Sequence, residues 1–171
     1  MPDATGLELI AQDLGEDVVD TVFFRDKAAI EIAPRAIGAT LARLRDKGFD
    51  FLASVHGVDY FPEEPRLGVH YELLDMREVD RIRVVTRVHT DSPELESVTP
   101  RWPTADHQER EVYDMFGVIF DGHPDLRRIL MPEDYEGFPQ RRDFPLGGEP
   151  VLFTVDEAHG RDYTIGLDPT K

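Results

Sequence analysis

Between residues 107 and 123 this 171-residue sequence gathers the side chains from which catalytic and metal sites are made: His107, Glu109, Glu111, Asp114 and His123. Two chemistries are open to them. On a helix, His107 and Glu111 stand at i,i+4 and share a face. With His123 they would offer three ligands to a divalent metal, leaving Glu109 as a general base. That set describes a free-standing metal-dependent hydrolase, although the His-Glu-x-x-His spacing of helical metalloproteases is absent. The other chemistry is electrostatic. Downstream lie Arg127, Arg128, Arg141 and Arg142, able to pair with these carboxylates or, together, to hold an anion. Asp125, Glu133, Asp134, Glu136 and Asp143 neutralise that basic patch, which weakens the anion-binding reading. The sequence contains neither a glycine-rich dinucleotide loop nor a phosphate loop, and no spacing suggests a nucleophilic triad.

Helical phase separates the acids. Pro103 ahead and Gly117 behind bound a helix over 105–116. On it Glu109 shares a stripe with Val112, Tyr113 and Phe116, whereas His107, Arg110, Glu111 and Asp114 share another. The second stripe reads either as a solvated face or as an edge free for a partner. As a solvated face it carries Arg110–Asp114 and His107–Glu111 pairs, on the order of 0.3–0.5 kcal/mol each. Glu109 differs, because a carboxylate among apolar residues is costly unless paired. An arginine of the downstream segment is therefore expected to return to Glu109, so that Glu109→Gln would destabilise the protein.

The elements that must position this segment follow from periodicity. Leu7, Ile10, Ala11 and Leu14 fall at helical spacing before Gly15, and Ile37, Leu41 and Leu44 do so between Pro34 and Gly48. Strands are expected at 18–24 and 28–32, joined by an Arg25-Asp26-Lys27 turn, and at 51–60, 67–74 and 81–89. The order αββαβββ, with strands in hairpins, predicts an α+β fold: a mixed or antiparallel sheet with helices on one face. The expected division is an α+β domain over 1–117 and an extended C-terminal arm over 118–171. Pro124, Pro132, Pro139, Pro145 and Pro150 break up the arm, with a short helical turn after His123-Pro124-Asp125 carrying Leu126, Ile129 and Leu130.

Composition narrows the function further. With no cysteine, the chain can hold neither an iron–sulfur cluster nor a thiolate zinc site. A formal charge of −16 disfavours nucleic acid and anionic lipid as partners. No apolar run is long enough to span a bilayer. Met1-Pro2-Asp3-Ala4-Thr5 has neither the basic flank nor the apolar centre of a signal peptide, so the protein is expected to stay on the side where it is made.

One stretch carries a family resemblance. Glu109-Arg110-Glu111-Val112-Tyr113-Asp114-Met115-Phe116-Gly117, then Gly122-His123-Pro124-Asp125-Leu126-Arg127-Arg128-Ile129-Leu130 and finally Phe144-Pro145-Leu146, closely resembles the signature of the C subunit of respiratory NADH-quinone oxidoreductase, complex I. The match runs from Ala105 to Leu146. It departs from the family's usual pattern at His107-Gln108, where an aromatic is common, and at Gly137-Phe138-Pro139 with Arg141-Arg142. The resemblance implies a cofactor-free structural subunit of the hydrophilic arm of a proton-pumping enzyme. FMN and Fe–S centres in partner subunits would pass electrons from NADH to quinone. It also implies the D subunit as the chief neighbour, the iron–sulfur B and I subunits nearby, and a place on the cytoplasmic face of the membrane, held there through the complex. Under it, Glu109, Arg110, Glu111, Asp114, His123, Arg127, Arg128, Arg141, Arg142 and Asp143 form a structural and docking motif. No residue of the chain is then expected to bind a cofactor or metal or to catalyse a step.

Overall fold

Alternation along the strands sets the layer plan. The computed structural model describes residues 4–145. In it α1 (Ala4–Leu14), β1 (Val18–Phe24), β2 (Lys27–Ile32), α2 (Ile37–Asp46), β3 (Phe51–Asp59), β4 (Leu67–Asp75) and β5 (Asp80–Val88) are followed by β6 (Glu94–Glu96), α3 (Ala105–Phe116) and β7 (Ile119–Asp121). The rest of the expected arm, with Leu146 and Pro150, lies outside the described residues. One parity of the central strands is apolar and buried: Ile30 and Ile32 on β2, Val69, Tyr71 and Leu73 on β4, Ile82 and Val84 on β5. These side chains share a core with Leu7 and Leu14 of α1, Ile37, Leu41 and Leu44 of α2, and Ala105 and Val112 of α3. The opposite parity carries Ala29, Glu31, His70, Glu72, Arg83 and Val85, so the second face of the sheet has charged and polar character.

The main sheet has the strand order β1-β2-β5-β4-β3. Only β2 and β5 run parallel; the remaining pairs are antiparallel, which makes the sheet mixed, as the α+β expectation requires. Arg25 and Asp26, both with positive φ, turn β1 directly into β2. Pro34 opens a 3-10 turn rather than the helix itself, which begins at Ile37. The sequence reading places no strand at 94–96 or 119–121, yet these short segments pair in parallel as a second, two-stranded sheet. Three residues carry too little periodicity to announce a strand; the buried Leu95, Val98, Val118 and Phe120 around them explain why they form.

Helix α3 is seated on the edge strand β3. A side-chain oxygen of Gln108 accepts the Val55 amide, and Gly57 makes room for the Phe116 ring, which would stand 2.3 Å from a Cβ at that position. Gly57→Ala is accordingly expected to lower stability by about 1–3 kcal/mol through overpacking. A chemical-denaturation midpoint unchanged from the parent protein would show that α3 does not depend on this seat.

Candidate functional site

Glu109 is fully buried, as its place in the apolar stripe requires. Among the described residues no arginine reaches it. One carboxylate oxygen accepts the Val98 amide at 2.8 Å and the other accepts the Ser97 hydroxyl at 2.7 Å. His123 Nε2 stands 4.0 Å away. The expected arginine is unnecessary because the connector ahead of α3 already supplies two donors. Burial pushes the Glu109 carboxyl above its ordinary range, and Ser97, Val98 and His123 offset part of that push.

The arginines of the arm go instead to the other stripe of α3. Asp114 is fully buried and accepts Arg128 Nη1 at 2.7 Å. Its Oδ2 also accepts the consecutive amides of Ile129, Leu130 and Met131 at 3.0, 2.7 and 2.9 Å. Burial alone would raise the Asp114 carboxyl; the Met131, Leu130 and Ile129 amides and the Arg128 guanidinium outweigh it and hold it below the usual range. On the preceding turn Arg110, also buried, donates Nε to the Arg127 carbonyl at 3.2 Å and Nη2 to the Arg128 carbonyl at 3.1 Å. The solvated face and its Arg110–Asp114 pair are therefore replaced by a clamp. Helix α3 holds the arm by its carbonyls with one residue and by its amides with the next.

That clamp also displaces the short helix expected after Pro124. Residues 126–131 are irregular, because Asp114 and Arg110 take the backbone groups that helical hydrogen bonds would use. His123 fixes the entry to the segment. Its Nδ1 accepts the Asp125 amide at 3.0 Å, so Nε2 carries the proton and donates to the Asp106 carbonyl at 3.2 Å.

Further along, Arg128 Nη2 donates to the Gly137 carbonyl, and the Arg128 and Arg141 guanidiniums stand 5.5 and 4.5 Å from the centre of the Phe138 ring. Arg141 Nε donates to the Phe116 carbonyl at 2.7 Å, closing the end of α3. Gly117 adopts a left-handed φ of 77°, and a Cβ there would meet Phe138 at 2.6 Å, so both the turn and the seat need glycine. The last anchor is Arg66, buried between two carboxylates. It forks onto Asp59 at 2.7 and 2.6 Å and onto Asp143 at 2.8 and 2.7 Å, while the Arg142 amide donates to Asp59 at 2.7 Å. The Arg66 hydrogen bonds, aided by the Arg142 amide, hold Asp59 far below its ordinary range against the effect of burial.

Among the expected site residues, Arg110, Asp114, His123, Arg128, Arg141, Arg142 and Asp143 thus meet in one arm-holding network. Arg127 is exposed and pairs with Asp125 on the surface. Asp59, Arg66, Ser97 and Val98 went unnoticed in the sequence; nothing in their spacing ties a hairpin at 59–66 to residue 143. The metal-hydrolase set does not assemble: His107 is exposed, His123 uses both ring nitrogens inside, and Glu111 faces a separate groove. Among the described residues no three histidine or acidic side chains are spaced to hold a metal ion. The basic patch is not available to an anion either, since Arg128 and Arg141 are spent on the fold. Glu111 is the motif acid that faces outward, on the rim of a groove of about 340 Å³ with His56, Met115, Leu130 and Gln140.

Comparison with known proteins covers both the sheet and the clamp. The family model described as respiratory-chain NADH dehydrogenase, 30 Kd subunit, matches residues 30–150. The NADH-quinone oxidoreductase C subunit of Salinispora tropica is 47% identical over 88% of this chain, which spans 63% of that relative's length. The corresponding C subunit of a Roseiflexus species is 41% identical over 92% of each chain. A solved structure of the trypsin-resistant fragment (1-134) of Nqo5 superposes with a TM-score of 0.64 at 30% identity, over 70% of this chain and 98% of that one.

Two outcomes are expected. Asp114→Ala leaves Arg128 and three amides without their buried acceptor, a loss of about 3–5 kcal/mol. Trypsin should then cut at Arg127, Arg128 and Arg141 while the five-stranded sheet stays intact; cleavage no faster than in the parent protein would contradict the clamp. For Glu109 the sign is the reverse of the sequence-based expectation. Its folded carboxyl is raised, so ionisation costs stability above that value, and the cost disappears as pH falls toward the ordinary 4.5. Glu109→Gln should raise the melting temperature at pH 8, with the gain vanishing near pH 4.5; a lower melting temperature at pH 8 would mean that the carboxylate is paired after all.

Proposed function

Because the chain belongs to the family of the 30 Kd subunit of respiratory-chain NADH dehydrogenase, we propose that it is a cofactor-free structural subunit in the hydrophilic arm of a proton-pumping NADH:quinone oxidoreductase. The family match over residues 30–150 carries this reading, since it includes β3, β4 and β5 and every residue of the clamp. In this role the chain takes no electrons itself. FMN and Fe–S centres belong to partner subunits, consistent with a sequence without cysteine.

Site chemistry agrees with the assignment. A catalytic acid or base needs a lone pair or proton facing a substrate. Here the Glu109 and Asp114 carboxylates, Arg110, Arg128 and Arg141 all point their hydrogen bonds inward, at backbone, at one another or, for Glu109, at the Ser97 hydroxyl. What they produce is a fixed outer surface shared by α3 and the arm, with Glu111 of the helix and Ile129 and Leu130 of the arm exposed on it. A neighbour is expected on that surface: chiefly the D subunit, with the iron–sulfur B and I subunits close by. Among the described residues no helix is long and apolar enough to cross a membrane. We assign the chain to the cytoplasmic face, attached through the complex.

Affinity isolation of the tagged chain from membranes in mild detergent tests this reading. The expected result is co-isolation of a large assembly containing flavin and iron–sulfur clusters, with NADH-dependent quinone reduction. Recovery of the chain alone, from cells that contain an active enzyme, would refute it.

A further inference from the structure

The second face of the sheet, opposite the three helices, holds a feature that the clamp does not use. One row of side chains crosses all five strands in register: Asp20, Glu31, Val85, His70 and His56. At its β1 end two carboxylates stand directly opposite each other in an antiparallel pair, an arrangement that is destabilising without a cation. Among the described residues neither Asp20 nor Glu31 has an ion-pair partner. Asp20 accepts only the amide of Thr21. Arg83, the one cation lining the adjacent cavity, donates Nε to Glu72.

That cavity, about 200 Å³, lies over Ala29 and is walled by Val22, Val85, Tyr60 and His70, with the two carboxylates on its rim. His70 is 7% exposed, and its Nδ1 has no hydrogen-bond partner, while Nε2 meets the Tyr60 hydroxyl at 2.9 Å. Burial, with the neighbouring His56 and Arg83, pushes His70 down to about 4, so the ring is neutral at physiological pH and does not repel a cation. Alongside runs β1, a seven-residue edge strand with no strand on its outer side among the described residues. Val19, Val22 and Phe24 on it are 62%, 50% and 63% exposed. Long apolar edge strands are normally covered or blunted with charge.

We propose that β1 and this cavity form a docking surface for an extended basic segment of a neighbouring polypeptide. Its apolar side chains would cover Val22 and Phe24, and an arginine or lysine would enter the cavity between Asp20 and Glu31. Charge selects this occupant. A second copy of the chain would bring another −16. Residues 146–171 of the chain itself are acidic, with Glu149, Asp156, Glu157, Asp162 and Asp168 against Arg161 and Lys171. The inference rests on the reading of the chain as a component of a larger assembly and adds a second contact surface, on the far side of the sheet from the clamp.

Because the sequence has no cysteine, Val22→Cys introduces a sole thiol. In the isolated chain it should react with a maleimide as fast as Met76→Cys, an exposed thiol on the β4–β5 turn, and in the isolated membrane complex about tenfold more slowly. Asp20→Lys, at an exposed position, should leave the isolated chain folded and cause it to wash out of the complex at lower salt than the parent. Equal Val22→Cys reactivity in chain and complex would overturn the docking surface while leaving membership of the complex intact. Slow reaction already in the isolated chain would also overturn it, assigning the strand to the chain's own C-terminal residues if the protein is monomeric and to a second copy if it is dimeric. Absence of the chain from the complex would remove the structural-subunit reading itself, and the docking surface with it.

Discussion

A single buried carboxylate, Asp114, decides where the last described part of the chain goes. It sits in a fully buried position on α3, where an unpaired charge would be untenable. Four donors converge on it: one guanidinium and three successive amides, all from residues 128–131. A carboxylate so satisfied is stable only while the arm is in place, and between 122 and 145 the arm has no helix or strand of its own to fold by. Each therefore depends on the other. Arg110, one helical turn earlier, holds the carbonyls of the same segment and fixes its polarity, so the arm cannot slide along the helix without breaking both sets of bonds.

From that point the arm is carried back across the domain by cations. Arg128 and Arg141 face the Phe138 ring from the end of α3, and Arg66 joins Asp143 to Asp59 at the far end of the β3–β4 hairpin. Guanidinium suits these seats because a planar fork satisfies two carboxylate oxygens, or a carbonyl and a ring face, at once. Between the anchors the backbone needs no regular structure. Its prolines and glycines break secondary structure without loosening it, because side chains of the domain supply the missing partners.

Much of this was legible in the sequence, and the failures have physical causes. The three helices and strands β2 to β5 announce themselves through apolar periodicity, since each has one face in the core. Strand β1 instead shows itself by its β-branched and aromatic run, although only Val18 is even half-buried. Burial of Glu109 followed from the same argument. Its partner did not: helical phase tells which way a side chain points but not which donor arrives first, and here Ser97 and Val98 are nearer in the chain than any arginine of the arm. The role of Asp114 is hidden in the sequence for a related reason. At i,i+4 from Arg110 it fits a surface pair as well as a buried acceptor, and only the arm's position separates the two. The β6–β7 pair is too short to show a period, and the Arg66 link spans 77 residues, beyond anything local pattern contains.

The motif that first invites a catalytic reading thus holds the arm against α3. Glu109, Arg110, Asp114, Arg128 and Arg141 all make their hydrogen bonds within the fold, and Glu111, Ile129 and Leu130 remain exposed beside them. Amide hydrogen exchange at Ile129, Leu130 and Met131 tests this most directly. All three should be strongly protected in the parent protein despite the absence of helix or strand, and should lose that protection together in Asp114→Asn with the β4 and β5 amides unchanged. Unprotected exchange of these amides in the parent protein would contradict the clamp.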